Sequence, residues 1–210
     1  MSDHYPKWHR ELDIFSKIKP LLLLEGNVLD SYQYPEEGSI LRLPEYLHFY
    51  FKDRGYQNIV FYDSLRGFYN TCEAGYLERF AALTSCSATQ GHISAPFKGS
   101  GPKDTAATLV RNALAQTKEA TVIVMDFVSR YIPSPDNLEQ SEVDSFTVLL
   151  QASLEAKDVR TEHHGVRKNL LILITNKAND IPAWFYLQNP NVKIITLSAP
   201  AKEEPEALAK

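Results

Sequence analysis

The run Thr121-Val122-Ile123-Val124-Met125-Asp126 constrains this chain more than any other stretch. It is apolar and rich in β-branched residues, too short for a buried helix, and it ends abruptly in a carboxylate. Such a run reads as a strand buried on both faces, the kind found in the middle of a parallel sheet. Leu170-Leu171-Ile172-Leu173-Ile174-Thr175-Asn176 repeats the pattern and ends in Thr-Asn. Polar residues at the carboxyl ends of such strands stand where open α/β sheets place their ligands.

Three more runs complete the strand set: Leu21–Leu24, Gln57–Asp63 and Val192–Leu197. Helical patterns fall between them. Trp8, Leu12, Phe15 and Ile18 share one face of a helix over residues 7–18. Leu43-Pro44 opens a second helix, with Pro at a tolerated first-turn position and Gly55 as its C-terminal cap. A third spans Gly75 to Leu83. A fourth, capped by Asp104, carries Leu109, Val110, Ala113 and Leu114. A fifth follows the capping box Asp136–Glu139 and carries Val143, Phe146, Leu149, Leu150 and Leu154. Residues 202–210 start another. The segments 27–41, 64–69 and 160–168 read as loops, and Asp180–Tyr186 as a loop or short helix. From Thr84 to Lys103 the composition shifts to Ser, Gly, Thr and Pro, which predicts a long loop without regular structure inside the domain. Alternation of this kind predicts a three-layer α/β/α fold on a five-stranded parallel sheet. Residues 1–210 would then form a single domain.

Composition narrows the function classes. The chain has 210 residues, 44% hydrophobic and 23% charged, with a formal net charge of −4. That balance gives no basic footprint for nucleic acid. No apolar run is long enough to span a membrane, and the amino terminus lacks an apolar segment of signal-peptide type. Cys72 and Cys86 have no His or Cys partner at metal-ligand spacing, so no metal site is expected and both read as reduced thiols of a cytoplasmic protein.

The strand order, with Asp126 ending the third strand and Asn176 the fourth, resembles the core of an AAA+ ATPase, a P-loop NTPase fold, over about residues 7–210. The resemblance puts Asp126 on the Walker B Asp, which holds Mg²⁺ on the phosphates of ATP. It puts Asn176 on the sensor-1 Asn, which positions the attacking water. Asn176–Pro182 is similar to the family's segment after sensor 1, and Pro200–Glu204 to the segment entering its helical lid, which would lie beyond Lys210. The phosphate loop would fall on Gly26-Asn27-Val28-Leu29-Asp30-Ser31, giving Gly26, Asn27, Asp30 and Ser31 as candidate nucleotide residues. A Walker A loop needs a Gly-rich backbone, then Lys for the phosphate oxygens and Ser or Thr for Mg²⁺. This chain has no Lys there, Asp30 is a like charge beside any polyphosphate, and Phe127 stands where the Walker B Glu would orient water.

The resemblance therefore implies a degenerate AAA+ module, similar to the amino-terminal half of a longer AAA+ protein. Such a module serves assembly or scaffolding among AAA+ neighbours in a homo- or hetero-oligomer. ATP and Mg²⁺ would then be handled elsewhere in the assembly. Two alternatives stand beside it: a divergent ATP hydrolase using residues 26–31, and a Rossmann-like enzyme with another cofactor. The latter lacks a Gly-x-Gly-x-x-Gly after the first strand. Each site residue also has a plain structural reading. Asp126 and Asn176 can be turn residues. Arg66-Gly67-Phe68-Tyr69 falls where the family carries an aromatic pore loop, yet an aromatic pair after a strand also reads as packing. Arg160, His163, His164, Arg167 and Lys168 form either a basic patch for a neighbouring nucleotide or a solvated loop. Gly99–Thr105 has the look of a shortened phosphate loop, with the wrong spacing.

Overall fold

The apolar runs form strands because each is buried on both sides. A computed structural model of the protein describes residues 5–35, 38–86, 93–98 and 105–199. Its helices are α1 (Lys7–Phe15), α2 (Leu43–Asp53), α3 (Tyr76–Thr84), α4 (Ala106–Ala115), α5 (Gln140–Glu155) and α6 (Ala183–Tyr186). The strands are β1 (Leu21–Gly26), β2 (Ser31–Gln33), β3 (Ile40–Arg42), β4 (Asn58–Asp63), β5 (Gly67–Tyr69), β6 (Thr121–Met125), β7 (Asp158–Thr161), β8 (Gly165–Lys168), β9 (Leu170–Ile174) and β10 (Val192–Leu197).

The central sheet has six strands in the order β10-β1-β9-β6-β4-β5. The five strands expected from sequence are all parallel to one another. β6 and β9 lie side by side, Val122 opposite Leu170, which brings Asp126 and Asn176 to one edge. Every residue of β4, β6 and β9 is buried, as in a sheet covered by helices on both faces.

The sixth strand corrects the five-stranded expectation. β5 runs antiparallel to β4, Phe61 opposite Tyr69, where a loop was expected. Gly67 makes the reversal possible, with φ +76 and Ile93 O only 2.5 Å from where a Cβ would stand. Three residues are too few to show a strand period. Two small hairpins also replace most of two expected loops: β2–β3 (31–42) overlaps 27–41, and β7–β8 (158–168) covers 160–168.

Over 84–103 the described residues form no helix or strand beyond the end of α3 and one isolated bridge, but residues 93–98 are packed against the core. Thr84 ends α3, and Phe68 bridges to Ile93. Ile93, Ala95 and Phe97 are buried, and the Phe97 ring centroid lies 4.8 Å from that of Tyr131, tilted, and 5.4 Å from that of Phe146, edge-on. The shortened phosphate-loop lookalike falls outside the described residues except for Thr105, which is itself the cap of α4, accepting from Thr108 N–H in place of Asp104. The helix expected after Asp136–Glu139 starts three residues later, boxed by Glu139 and Glu142. The helix expected over 202–210 lies outside the described residues. Among the described residues, no helix is long and apolar enough to cross a membrane.

Candidate functional site

β1, β6, β4 and β9 all end at the carboxyl edge, so the turns that leave them meet there. The exit from β1 is fixed by Gly26. Its φ of +98 and the Leu197 carbonyl oxygen 2.8 Å from a notional Cβ leave room only for hydrogen. The Gly26 N–H donates to the Asn176 carbonyl (3.1 Å), Asn27 N–H to the Leu197 carbonyl (3.1 Å) and Val28 N–H to the Gly26 carbonyl (2.8 Å). The Asn27 amide group donates to the Asp30 carboxylate, and the Tyr32 hydroxyl to the Asn27 carbonyl. Ser31 then pairs with Arg42 in the β2–β3 hairpin. No helix opens from this turn; the first after β1 is α2, at Leu43. The four candidate phosphate-loop residues thus lie in a closed turn and a strand, with the amides of Gly26, Asn27 and Val28 already spent on protein oxygens.

Asp126 stands one residue past β6, buried, and its carboxylate accepts from Phe127 N–H at 2.8 Å. Burial pushes its pKa up to about 6; the Phe127 N–H and the Arg66 charge oppose the rise, and Asp63 adds to it. Asp63, at the end of the adjacent β4, behaves differently. Burial alone would raise it, but donors from Arg66 and Leu65 outweigh burial and hold it below the usual range. Leu65 N–H reaches it at 2.9 Å, Arg66 N–H at 2.7 Å, and the Arg66 Nε–H also donates. The Arg66 guanidinium lies 3.7 Å over the Tyr69 ring. Asp63 therefore ionises more readily than the neighbouring Asp126, burial governing Asp126 and the donors from Arg66 and Leu65 governing Asp63.

Asn176 is tied to the same edge by Ser129, on a 3₁₀ turn at Val128–Arg130. The Thr175 hydroxyl donates to the Lys177 carbonyl (2.9 Å), so the Ser129 hydroxyl donates to Thr175 (2.7 Å). The Ser129 oxygen in turn receives the Asn176 N–H at 2.8 Å. Between Asp126, Ser129, Asn176 and Val28 lies a small cleft of ≈ 10 Å³, about the space of one water. Phe127, in the Glu position of the resemblance, is 46% exposed and sits at φ +54, a left-handed conformation rare for an aromatic residue. Glu25 closes the edge on the far side, accepting from Ala178 N–H (2.7 Å) and the Thr196 hydroxyl (3.2 Å).

Arg66–Tyr69 is not an exposed aromatic loop. Phe68 is fully buried against Phe80 (4.5 Å) and Tyr62 (4.9 Å), and Tyr69 is buried beside Phe61. What this edge exposes is Leu65 (96%), Leu29 (70%) and Phe127. Sequence reading brought Asp126 and Asn176 together correctly but passed over Asp63, Ser129 and Glu25. Asp63 ends a strand just as Asp126 does, and that signal was available. A lone Ser two residues into a turn gives none. Among the described residues, no group of three or more His, Cys, Asp and Glu side chains could hold a metal ion.

No curated protein sequence matches the chain. A chain from the solved structure of the E. coli MS115-1 HORMA:CdnC:Trip13 complex aligns with it at a TM-score of 0.42 and 14% identity. The alignment covers 98% of this chain and 56% of that one. The family model for the AAA+ chaperone N-terminal Rossmann-like domain matches residues 2–198, and the chain belongs to that family.

Proposed function

We propose that this domain is an assembly module of an AAA+ chaperone, whose carboxyl edge contacts a protein neighbour instead of binding ATP. The observation that carries this reading is the state of the β1 turn. A phosphate loop works through free backbone N–H groups converging on the anion, usually at a helix N-terminus. Here the N–H groups of Gly26, Asn27 and Val28 point at protein carbonyls, and a hairpin follows in place of a helix. A divergent ATP hydrolase acting through residues 26–31 would have to break those bonds first. Asp30, beside them, would repel the phosphates.

The exposed side chains of the same edge supply a protein-facing surface. Leu29, Phe127 and Leu65 leave the turns after β1, β6 and β4, which span three strand spacings, about 14 Å. Exposed large apolar side chains gathered on one edge are typical of protein contact sites. The left-handed Phe127 fits this role, because strain held in a turn is commonly retained for a functional contact.

The test is to replace two of these residues in the natural chain with polar ones that suit their backbones, Leu65→Ser and Phe127→Asn. Assembly is followed by light scattering, and folding by circular dichroism. The expected result is at least a tenfold loss of association, roughly 1.4 kcal/mol, with the fold intact. Unchanged assembly by a folded double variant would remove the carboxyl edge from the interface.

A further inference from the structure

The amino-terminal edge of the sheet, opposite the turns described above, carries a cleft of a different character. It is bounded by the end of α1 (Ser16, Lys17), the end of α2 (Arg54), Tyr56 ahead of β4, and the β7–β8 hairpin (Asp158, Arg167, Lys168). Its volume is ≈ 60 Å³, about that of four to six waters and enough for one small oxyanion. Four cations line it in a chain whose formal net charge is −4. Two carboxylates offset them: Asp13 bonds Lys17 (2.8 Å) and Arg54 (3.2 Å), and Asp158 bonds Lys168 (2.6 Å). Four cations less two carboxylates leave two positive charges.

The guanidinium groups are held rigidly from behind. Arg54 donates through Nε to Asp13 (3.2 Å) and through Nη1 to the Tyr50 carbonyl (3.2 Å), and its guanidinium lies 3.5 Å over the Tyr50 ring. Arg167 donates through Nε to the Arg54 carbonyl (2.7 Å) and through Nη1 to the Val166 carbonyl (3.0 Å). Neither Nη2 has an acceptor among the described residues. Helix C-termini account for cations near the ends of α1 and α2, but Arg167 and Lys168 belong to the hairpin. Asp13 offsets Arg54 and Lys17, and Asp158 offsets Lys168, whereas Arg167 forms no ion pair among the described residues, so the cleft keeps charge that an anion would neutralise. A phosphate group, with oxygens on several sides, matches guanidinium donors in this arrangement.

We propose that this cleft is a binding site for a phosphate group, held by the Nη2 donors of Arg54 and Arg167 and by the ammonium groups of Lys17 and Lys168. The phosphate comes either from a small phosphorylated compound or from a phosphorylated side chain of a protein partner. Both sources present the same dianion.

Calorimetric titration of the full natural chain distinguishes them, with inorganic phosphate, pyrophosphate, a phosphoserine peptide and its unphosphorylated counterpart as probes. The expected result is saturable binding of at least one phosphorylated probe, weakening as salt is raised past ~0.15 M. Arg167→Gln should weaken it tenfold or more, and Lys17→Gln severalfold. Asp126→Asn, at the opposite edge, should leave it unchanged. Preference for the phosphoserine peptide identifies a protein-borne phosphate, and preference for the inorganic probes a small ligand. Lys17→Gln alters an exposed side chain, so it keeps the test valid if Arg167→Gln fails to fold. The proposal is overturned if no phosphorylated probe binds saturably by ~10 mM. It is equally overturned if binding survives Lys17→Gln and every folded Arg167 variant, or if the unphosphorylated peptide binds as well as the phosphorylated one.

Discussion

At the scale of single residues, Asp126 connects the sequence pattern to a measurable property. A carboxyl in a buried turn ionises reluctantly, and its folded pKa of about 6 lies above the ordinary 3.8. Well below pH 3.8 both folded and unfolded forms are protonated, and the group is neutral to stability. As pH rises toward 6 the unfolded chain releases its proton first, so stability falls. Above 6 the folded state carries the whole cost, on the order of 3 kcal/mol. Asp126→Asn keeps an oxygen for the Phe127 N–H and removes the charge. It should raise stability by about 1–2 kcal/mol at pH 7.5, with the gain shrinking toward zero well below pH 3.8. Urea unfolding of variant and parent at matched pH checks this. The parent must be subtracted at each pH, because His9 titrates in the opposite sense. Burial lowers His9 to about 4, so it withdraws stability as pH falls from 6.5. A gain independent of pH would show that Asp126 is not held against its charge.

At the scale of elements, the parallel strands were legible because burial on both faces leaves continuous apolar runs, as in Leu170–Ile174. The short pieces were not. β5 depends on the Gly67 reversal and a bridge to Ile93, partners far apart in sequence. The described segment 93–98 shows the same limit. The Ser, Gly, Thr and Pro content of the surrounding 84–103 argues for a loop, yet Phe97 fills a slot between Tyr131 and Phe146 and its carbonyl accepts the Ser145 hydroxyl at 2.9 Å. The Ala95 carbonyl accepts the Tyr62 hydroxyl at 3.0 Å, tying the same segment to β4. Ile93, Ala95 and Phe97 alternate with the exposed Ser94, Pro96 and Lys98, but three such positions interrupted by a proline are too few to mark a strand, so the tertiary structure is what shows their place. Phe97→Ala should therefore cost about 3–4 kcal/mol, as for a buried aromatic residue. Thermal unfolding checks it, and a loss below ~1 kcal/mol would mean the segment is an ordinary surface loop.

At the scale of the whole molecule, the sheet order and family place the chain among AAA+ chaperone N-terminal Rossmann-like domains. The two ends of its parallel sheet differ in chemistry. The carboxyl edge has closed turns, a carboxyl raised by burial and exposed Leu29, Leu65 and Phe127. The amino edge has a cationic cleft. The missing Lys and Phe127 were readable in sequence, but the spending of the β1 amides was not, since backbone bonds have no residue signature. The most direct measurement is calorimetry of this chain with Mg²⁺–ATP, with Asp126→Ala as control. The account predicts no saturable binding at the carboxyl edge below ~1 mM, and any weak heat that remains should be insensitive to Asp126→Ala. A dissociation constant of roughly 1–10 μM that is lost in Asp126→Ala would contradict it, and would show that the β1 turn opens to receive phosphates.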